Sequence, residues 1–210
     1  MPPARRGSVR FVSSALALTV LLPAVLRAEG LWFDDGDTQQ RLAAGEIVIR
    51  MDGNAGVRGR VEAAVEIHAT PETIWTVLRD CEHAPAFIPG LKSCRRTESA
   101  PDGSWEIIEH DVKYSWLMPT IHSVFRADYV PGTAEQPWRI DFRRVGGDLR
   151  AEQGSWLLAA APLASTTVVA YQVYIDPGFW VPQSVVQHSL RKNLPEALGA
   201  LRSWAERVPR

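Results

Sequence analysis

The stretch that most constrains this chain runs from Pro182 to Arg207. At 100° per residue, Val186, Leu190, Leu194, Ala197, Leu201 and Trp204 fall on one stripe. His188, Arg191, Lys192, Arg202 and Glu206 fall on the opposite face. The pattern predicts a long amphipathic helix opened by Pro182, at a first-turn position where the missing N–H costs nothing. Pro195 lies on the polar side, where losing the hydrogen bond to the Arg191 carbonyl predicts a bend convex to water. One apolar stripe must be buried against something. Nearly everything between Val57 and Asp176 reads as strand, so the expectation is one sheet curled around this helix.

The strand pattern is read from alternation. Val61, Ala63, Val65 and Ile67 share a face against Glu62, Glu66 and His68. Ile108, His110, Val112, Tyr114 and Trp116 share a face against Glu109, Asp111 and Lys113. Ile121, Phe125, Ala127 and Tyr129 are read as inward, with His122, Arg126 and Asp128 outward. Trp138, Ile140 and Phe142 alternate with Arg139, Asp141 and Arg143, and Gly146-Gly147 reads as a hairpin turn. Strands over 154–160 and 166–175 precede the break at Asp176-Pro177-Gly178.

Between the first core strand and the rest, Thr70 caps a helix that starts with Pro71 and buries Ile74, Trp75 and Leu78. It stops near Cys81, and a second short helical turn over 82–87 ends at Pro89-Gly90. Upstream, Asp37 is read as the cap of a short helix ending at Gly45, followed by a strand over 46–51 and a turn at Asp52-Gly53-Asn54. The order defines an α+β domain with helices closing one face of a curved antiparallel sheet.

Residues 1–28 read as a secretory signal: arginines, an apolar run from Phe11 to Leu26, and the small Ala28 before a cleavage point. The run is interrupted by Ser13, Ser14 and Pro23 and falls short of the ~20 residues of a spanning helix. Export to the periplasm or the extracellular space is the expectation. The predicted organisation is therefore a signal at 1–28, an N-terminal extension at 29–57 and a ligand-binding domain at 58–207. Removing four arginines of the signal leaves 19 basic against 24 acidic residues, net −5. No concentrated basic patch remains, which argues against a nucleic-acid partner. In an oxidising compartment Cys81 and Cys94 are either a disulfide or two separate thiols, and spacing alone leaves both open.

The stretch from Val65 to Cys94 resembles the START-like, helix-grip superfamily in its polyketide cyclase and coenzyme Q-binding branch. The residues that carry the resemblance are Ala69-x-Pro71, Trp75, Leu78, Asp80 and Phe87-Ile88-Pro89-Gly90. Gly154-x-Trp156-x-Leu158, Thr167-x-Val169-x-Tyr171, Asp176-Pro177, Pro182 and the helix bearing Leu190, Leu194, Leu198 and Leu201 continue it. The resemblance implies a helix-grip fold with an apolar cavity between sheet and C-terminal helix. It implies a lipid, quinone, sterol or polyketide-like occupant, and catalysis in only some members. Cys81 stands where the family often has an aromatic residue, which leans toward the disulfide.

On that footing the ligand-binding candidates are Phe87, His110, Val112, Tyr114, Phe125, Trp138, Ile140, Phe142, Trp156, Tyr171, Gln183, Val186 and Leu190. The plain alternative is that the aromatic set is simply core. The histidines lack helical i, i+4 spacing and the cysteines have no close partner ligands, so no metal or other cofactor is expected. No Gly-x-Ser-x-Gly nucleophile motif occurs. His110, with Tyr114 on the same face, is the one candidate acid/base pair. The plain alternative there is a histidine hydrogen-bonded to a neighbouring strand or facing partial solvent. The expected function is an exported carrier for a hydrophobic small molecule, with transient membrane contact as a route for loading. A cyclase/dehydratase-type enzyme using His110 and Tyr114 is the alternative.

Overall fold

The computed structural model describes residues 31–51, 59–113, 119–133, 136–161, 165–178 and 183–208, with residues 183–190 described as backbone. The predicted signal at 1–28, the turn at 52–54, Tyr114, Trp116 and Pro182 lie outside the described residues, as do the side chains of Gln183, Val186 and Leu190.

Eight antiparallel strands form one curved sheet: β1 (Val48–Met51), β2 (Gly59–Ile67), β3 (Leu91–Ser99), β4 (Trp105–Val112), β5 (Ile121–Val130), β6 (Trp138–Gly147), β7 (Ala151–Ala160) and β8 (Thr167–Asp176). Their order across the sheet is β1-β2-β8-β7-β6-β5-β4-β3. Each consecutive strand from β3 to β8 pairs with its neighbour in the chain, and β2 closes onto β8 over nine residue pairs, Gly59↔Ile175 to Ile67↔Thr167. Helices α1 (Gly36–Ala43), α2 (Pro71–Leu78) and α3 (Gln183–Ala205) complete the fold, with a 3-10 turn at Ala84–Ala86.

The capping logic holds for α2. Thr70 is extended and its side chain accepts from the Thr73 amide at 3.3 Å, with Pro71 first inside the helix. Ile74, Trp75 and Val77 are its buried residues, and Leu78 packs partly buried against the same core. For α1 the cap is Asp35 rather than Asp37: its carboxylate accepts from the Thr38 amide at 2.9 Å and pairs with Arg50 at 2.6 Å. These bonds hold its carboxyl down at about 2. Asp37 lies one position inside the helix, where an acid suits the first turn.

The inner face of the sheet carries the larger core. Ala63, Val65, Ile67, Ala127, Tyr129, Ile140, Leu158 and Val169 pack with Trp75 and Val77 of α2 and Leu198, Leu201 and Ala205 of α3. The buried stripe of α3 is thus centred on Leu198, with Ala197 and Trp204 only partly covered, a rotation from the stripe read in the sequence. On the opposite face, Phe33, Leu42, Val48, Ala64, Val168 and Ala170 form a second core. The segment from Leu31 through β1 therefore covers the outside of β2 and β8. It belongs to the same compact unit as the rest of the described chain, Leu31–Arg210.

Gly146-Gly147 is not the hairpin turn. Both glycines remain paired with Val124 and Ser123 of β5 beside a register shift, and Asp148–Arg150 make the connection to β7. Gly147 sits at φ +87°, and an added Cβ would meet Ser123 Cα at 3.0 Å, so its left-handed backbone and the close approach both require glycine.

Cys81, just after α2, and Cys94 in β3 are disulfide-bonded, with Cα atoms 5.3 Å apart. The bond ties the segment holding the 3-10 turn and Phe87 to the sheet edge.

Candidate functional site

The register places the inner-facing aromatics in adjoining rows. Ile140 lies opposite Trp156, which lies opposite Tyr171, and Phe142 lies opposite Gly154. Phe125 is two residues along β5 from Ala127, the partner of Phe142. The rings meet in a chain: His110–Phe125 at 4.9 Å, Phe125–Phe142 at 6.0 Å, Phe142–Tyr171 stacked at 6.0 Å and Tyr171–Trp156 at 4.3 Å. Such offset and edge contacts are the favoured aromatic geometries.

Burial divides the candidate set. Phe87, Val112 and Ile140 are buried in the core. His110, Phe125, Trp138, Phe142, Trp156 and Tyr171 are only half-buried, although they stand on the sheet's inner face. Large rings on a concave face that lack a full covering layer form a wall, and a wall of this kind suits an apolar guest. Trp138 stands at the edge of that wall, 5.0 Å from Trp75 of α2.

Two polar groups flank the wall, and neither was picked out from the sequence. On the α2 side, Glu106 accepts from Tyr129 Oη at 2.7 Å and Arg79 at 3.2 Å, and pairs with Arg96 at 3.0 Å. The Arg79 guanidinium lies 4.1 Å from the centre of the Tyr129 ring. Burial, and then the bond to Glu106, push the Tyr129 hydroxyl well above its ordinary range. With both cations and the hydroxyl satisfied by one buried carboxylate, this cluster fastens α2 to the sheet.

The other group lies beyond Phe142. Ser123 of β5 donates to Glu152 of β7, reaching past Gly147, which has no side chain in the way. Arg144 of β6 stands opposite Phe125, and its Nη2 donates to the Gly147 carbonyl at 2.8 Å. Burial raises the Glu152 carboxyl, against the Ser123 bond and the nearby Arg144 charge. His110 lies opposite Ser123, and burial lowers its imidazole to about 4, with Asp111 pulling the other way. The ring is therefore neutral at pH 7. It packs on Phe125, and no described side chain hydrogen-bonds it.

The signal for these residues was present in the alternation. Glu106 is in phase with Ile108, Ser123 with Phe125, Arg144 with Phe142, and Glu152 with Trp156. Reading each strand only for its apolar residues passes over them. The other described histidines lie elsewhere: His68 is exposed, His122 pairs with Asp111 at 2.9 Å, and His83 pairs with Asp80 at 2.7 Å. Among the described residues no group of three or more His, Cys, Asp or Glu is placed to hold a metal ion. No helix among them is long and apolar enough to cross a membrane.

A curved antiparallel sheet gripping a long C-terminal helix, with a half-covered aromatic inner wall, defines a START-like hydrophobic-ligand-binding domain. The chain belongs to the family "Polyketide cyclase / dehydrase and lipid transport", whose pattern matches residues 67–202. Among solved structures it is similar to a STAR-related lipid transfer protein from Xanthomonas axonopodis, at 17% identity and a TM-score of 0.65. That match covers 77% of this chain and 94% of the other. It is also similar to the Zhui aromatase/cyclase of a Streptomyces species (18% identity, TM-score 0.58, 78% and 97% covered). A START superfamily protein from Mycobacterium smegmatis matches at 20% identity and a TM-score of 0.57, with 71% and 99% covered. No curated protein matches the chain.

Proposed function

We propose that this protein is an exported binding or carrier protein that holds one lipid, quinone or isoprenoid-like molecule between the sheet and α3. The observation that carries the reading is the half-buried aromatic wall of Phe125, Phe142, Trp156 and Tyr171 on the sheet's inner face. Apolar surface taken from water is worth roughly 25 cal/mol per Å², so such a wall binds a greasy body with few polar contacts. The leader-like residues 1–28 favour export, and the Cys81–Cys94 disulfide suits an oxidising compartment. Passing a water-insoluble cargo on calls for brief contact with a membrane surface.

The similar proteins include one described as a lipid transfer protein and one described as an aromatase/cyclase, so fold alone does not choose between carrier and enzyme. The aromatic wall supports the carrier reading, and the cyclase/dehydratase-type alternative rests on His110. His110 packs edge-on against Phe125 and burial keeps it neutral, as a general base would be, and its candidate partner Tyr114 lies outside the described residues. Native mass spectrometry of the purified full chain, with organic extraction of whatever is bound, tests this reading. A co-purifying apolar molecule, or a thermal shift on adding lipids or quinones, supports it. Neither being observed removes it.

A further inference from the structure

The Arg144 Nε is buried and has no hydrogen-bond partner, the one side-chain polar atom in that condition among the described residues. An unsatisfied buried donor is costly, more so on a charged group. The Gly147 carbonyl takes Nη2, and Glu152 is turned toward Ser123. Arg144 shares the inner face with Phe142 and stands opposite Phe125, at the end of the aromatic wall. The charge of Arg144 acts on the Glu152 carboxyl, pulling against the effect of its burial.

We propose that Arg144 Nε donates to a carbonyl-type oxygen at one end of the bound molecule, while the aromatic wall takes its apolar body. This rests on the carrier reading and names the chemistry of the cargo: a long apolar skeleton ending in a carboxylate, ester or ketone oxygen. A hydrocarbon with no acceptor leaves Nε unpaired, and an ammonium head is repelled by the guanidinium. Arginine suits the task because its guanidinium stays charged and keeps Nε in a fixed direction while Nη2 is held by Gly147. Ser123 has a supporting part. By holding Glu152, it keeps that carboxylate from closing onto Nε.

The test uses three probes of matched chain length, dodecanoate, methyl dodecanoate and dodecane, each displacing an anilinonaphthalene dye from the full chain. The expected result is that one or both carbonyl probes bind at least about tenfold tighter than dodecane, the scale of one charge-assisted hydrogen bond. Dodecanoate ahead of the ester marks a charged head, and the reverse marks a neutral one; either supports the assignment. Arg144→Met should erase the gap while leaving dodecane binding within about twofold. Ser123→Ala keeps the guanidinium but releases Glu152, so it should narrow the gap in a chain that keeps its fold even where Arg144→Met does not. Equal binding of all three probes by the unaltered chain, or a gap that survives both variants, overturns the proposal and leaves the carrier reading standing. Binding of none of the three overturns both.

Discussion

Gly154 lies directly opposite Phe142 across the β6–β7 ladder, and a Cβ built on it would come within 2.5 Å of the Phe142 ring. The missing side chain lets that ring lean over β7 and stack on Tyr171. A strand glycine normally weakens a sheet; here it makes room for the aromatic wall. A Cβ there would also come within 2.1 Å of the Gln172 carbonyl of β8, so Gly154→Ala should displace the Phe142 ring, part β7 from β8 and cost at least about 1–3 kcal/mol as an overpacked site. Urea denaturation reads the stability, and dye affinity should fall in the same variant.

His110 makes stability depend on acid. Its imidazole titrates at about 4 in the folded chain against 6.5 when unfolded. The unfolded state therefore takes up a proton first as pH falls. The stability this group contributes is complete above about 6.5 and lost as pH drops through 4, on the order of 3 kcal/mol in all. The raised Glu152 carboxyl acts in the opposite sense, losing stability as pH rises. Comparing His110→Phe with the unaltered chain isolates the histidine. The variant should show a flatter loss of stability between pH 6.5 and 4 in denaturant titrations.

Opening the Cys81–Cys94 bond should destabilise the fold by about 3 kcal/mol in the chain-entropy account of a loop this short. The double variant Cys81→Ser, Cys94→Ser should have a lower melting temperature than the oxidised chain, and reductant should change its melting no further. Hydrogen exchange should rise first over residues 81–90, which the bond anchors to β3.

Much of the fold was legible because its signals are local. Thr70-Pro71 marks a helix start by capping chemistry, and the alternation through Trp138, Ile140 and Phe142 assigns their face whatever the strand pairs with. The stripe on α3 was legible as an amphipathic pattern, but its centre was not. A sequence wheel gives Leu194, Leu198 and Leu201 nearly equal standing, and only the sheet beneath selects Leu198 and Leu201 for full burial. Gly146-Gly147 carries the composition of a turn, yet both glycines pair with β5 beside a bulge at Val145, a long-range effect that no short window contains. The outer covering by Phe33 and Leu42 was missed for the same reason. At the site, the aromatics followed from period and resemblance. Glu106, Ser123, Arg144 and Glu152 were in phase with them, but their partners come from other strands and from α2.

The most direct measurement is photo-crosslinking of the full chain with a diazirine-bearing fatty acyl probe, mapped by peptide mass spectrometry and competed with unlabelled dodecanoate. The chain offers a second place for such a probe, a cleft of about 320 Å³ on the outer face lined by Phe33, Asp34, Gln39, Ala159, Ala160, Ala161 and Val168. The predicted result is competable labelling on β6, β7 and β8 at Phe142, Trp156 or Tyr171. Labelling confined to the Phe33 cleft, or labelling that competitor does not reduce, would contradict a guest held between the sheet and α3.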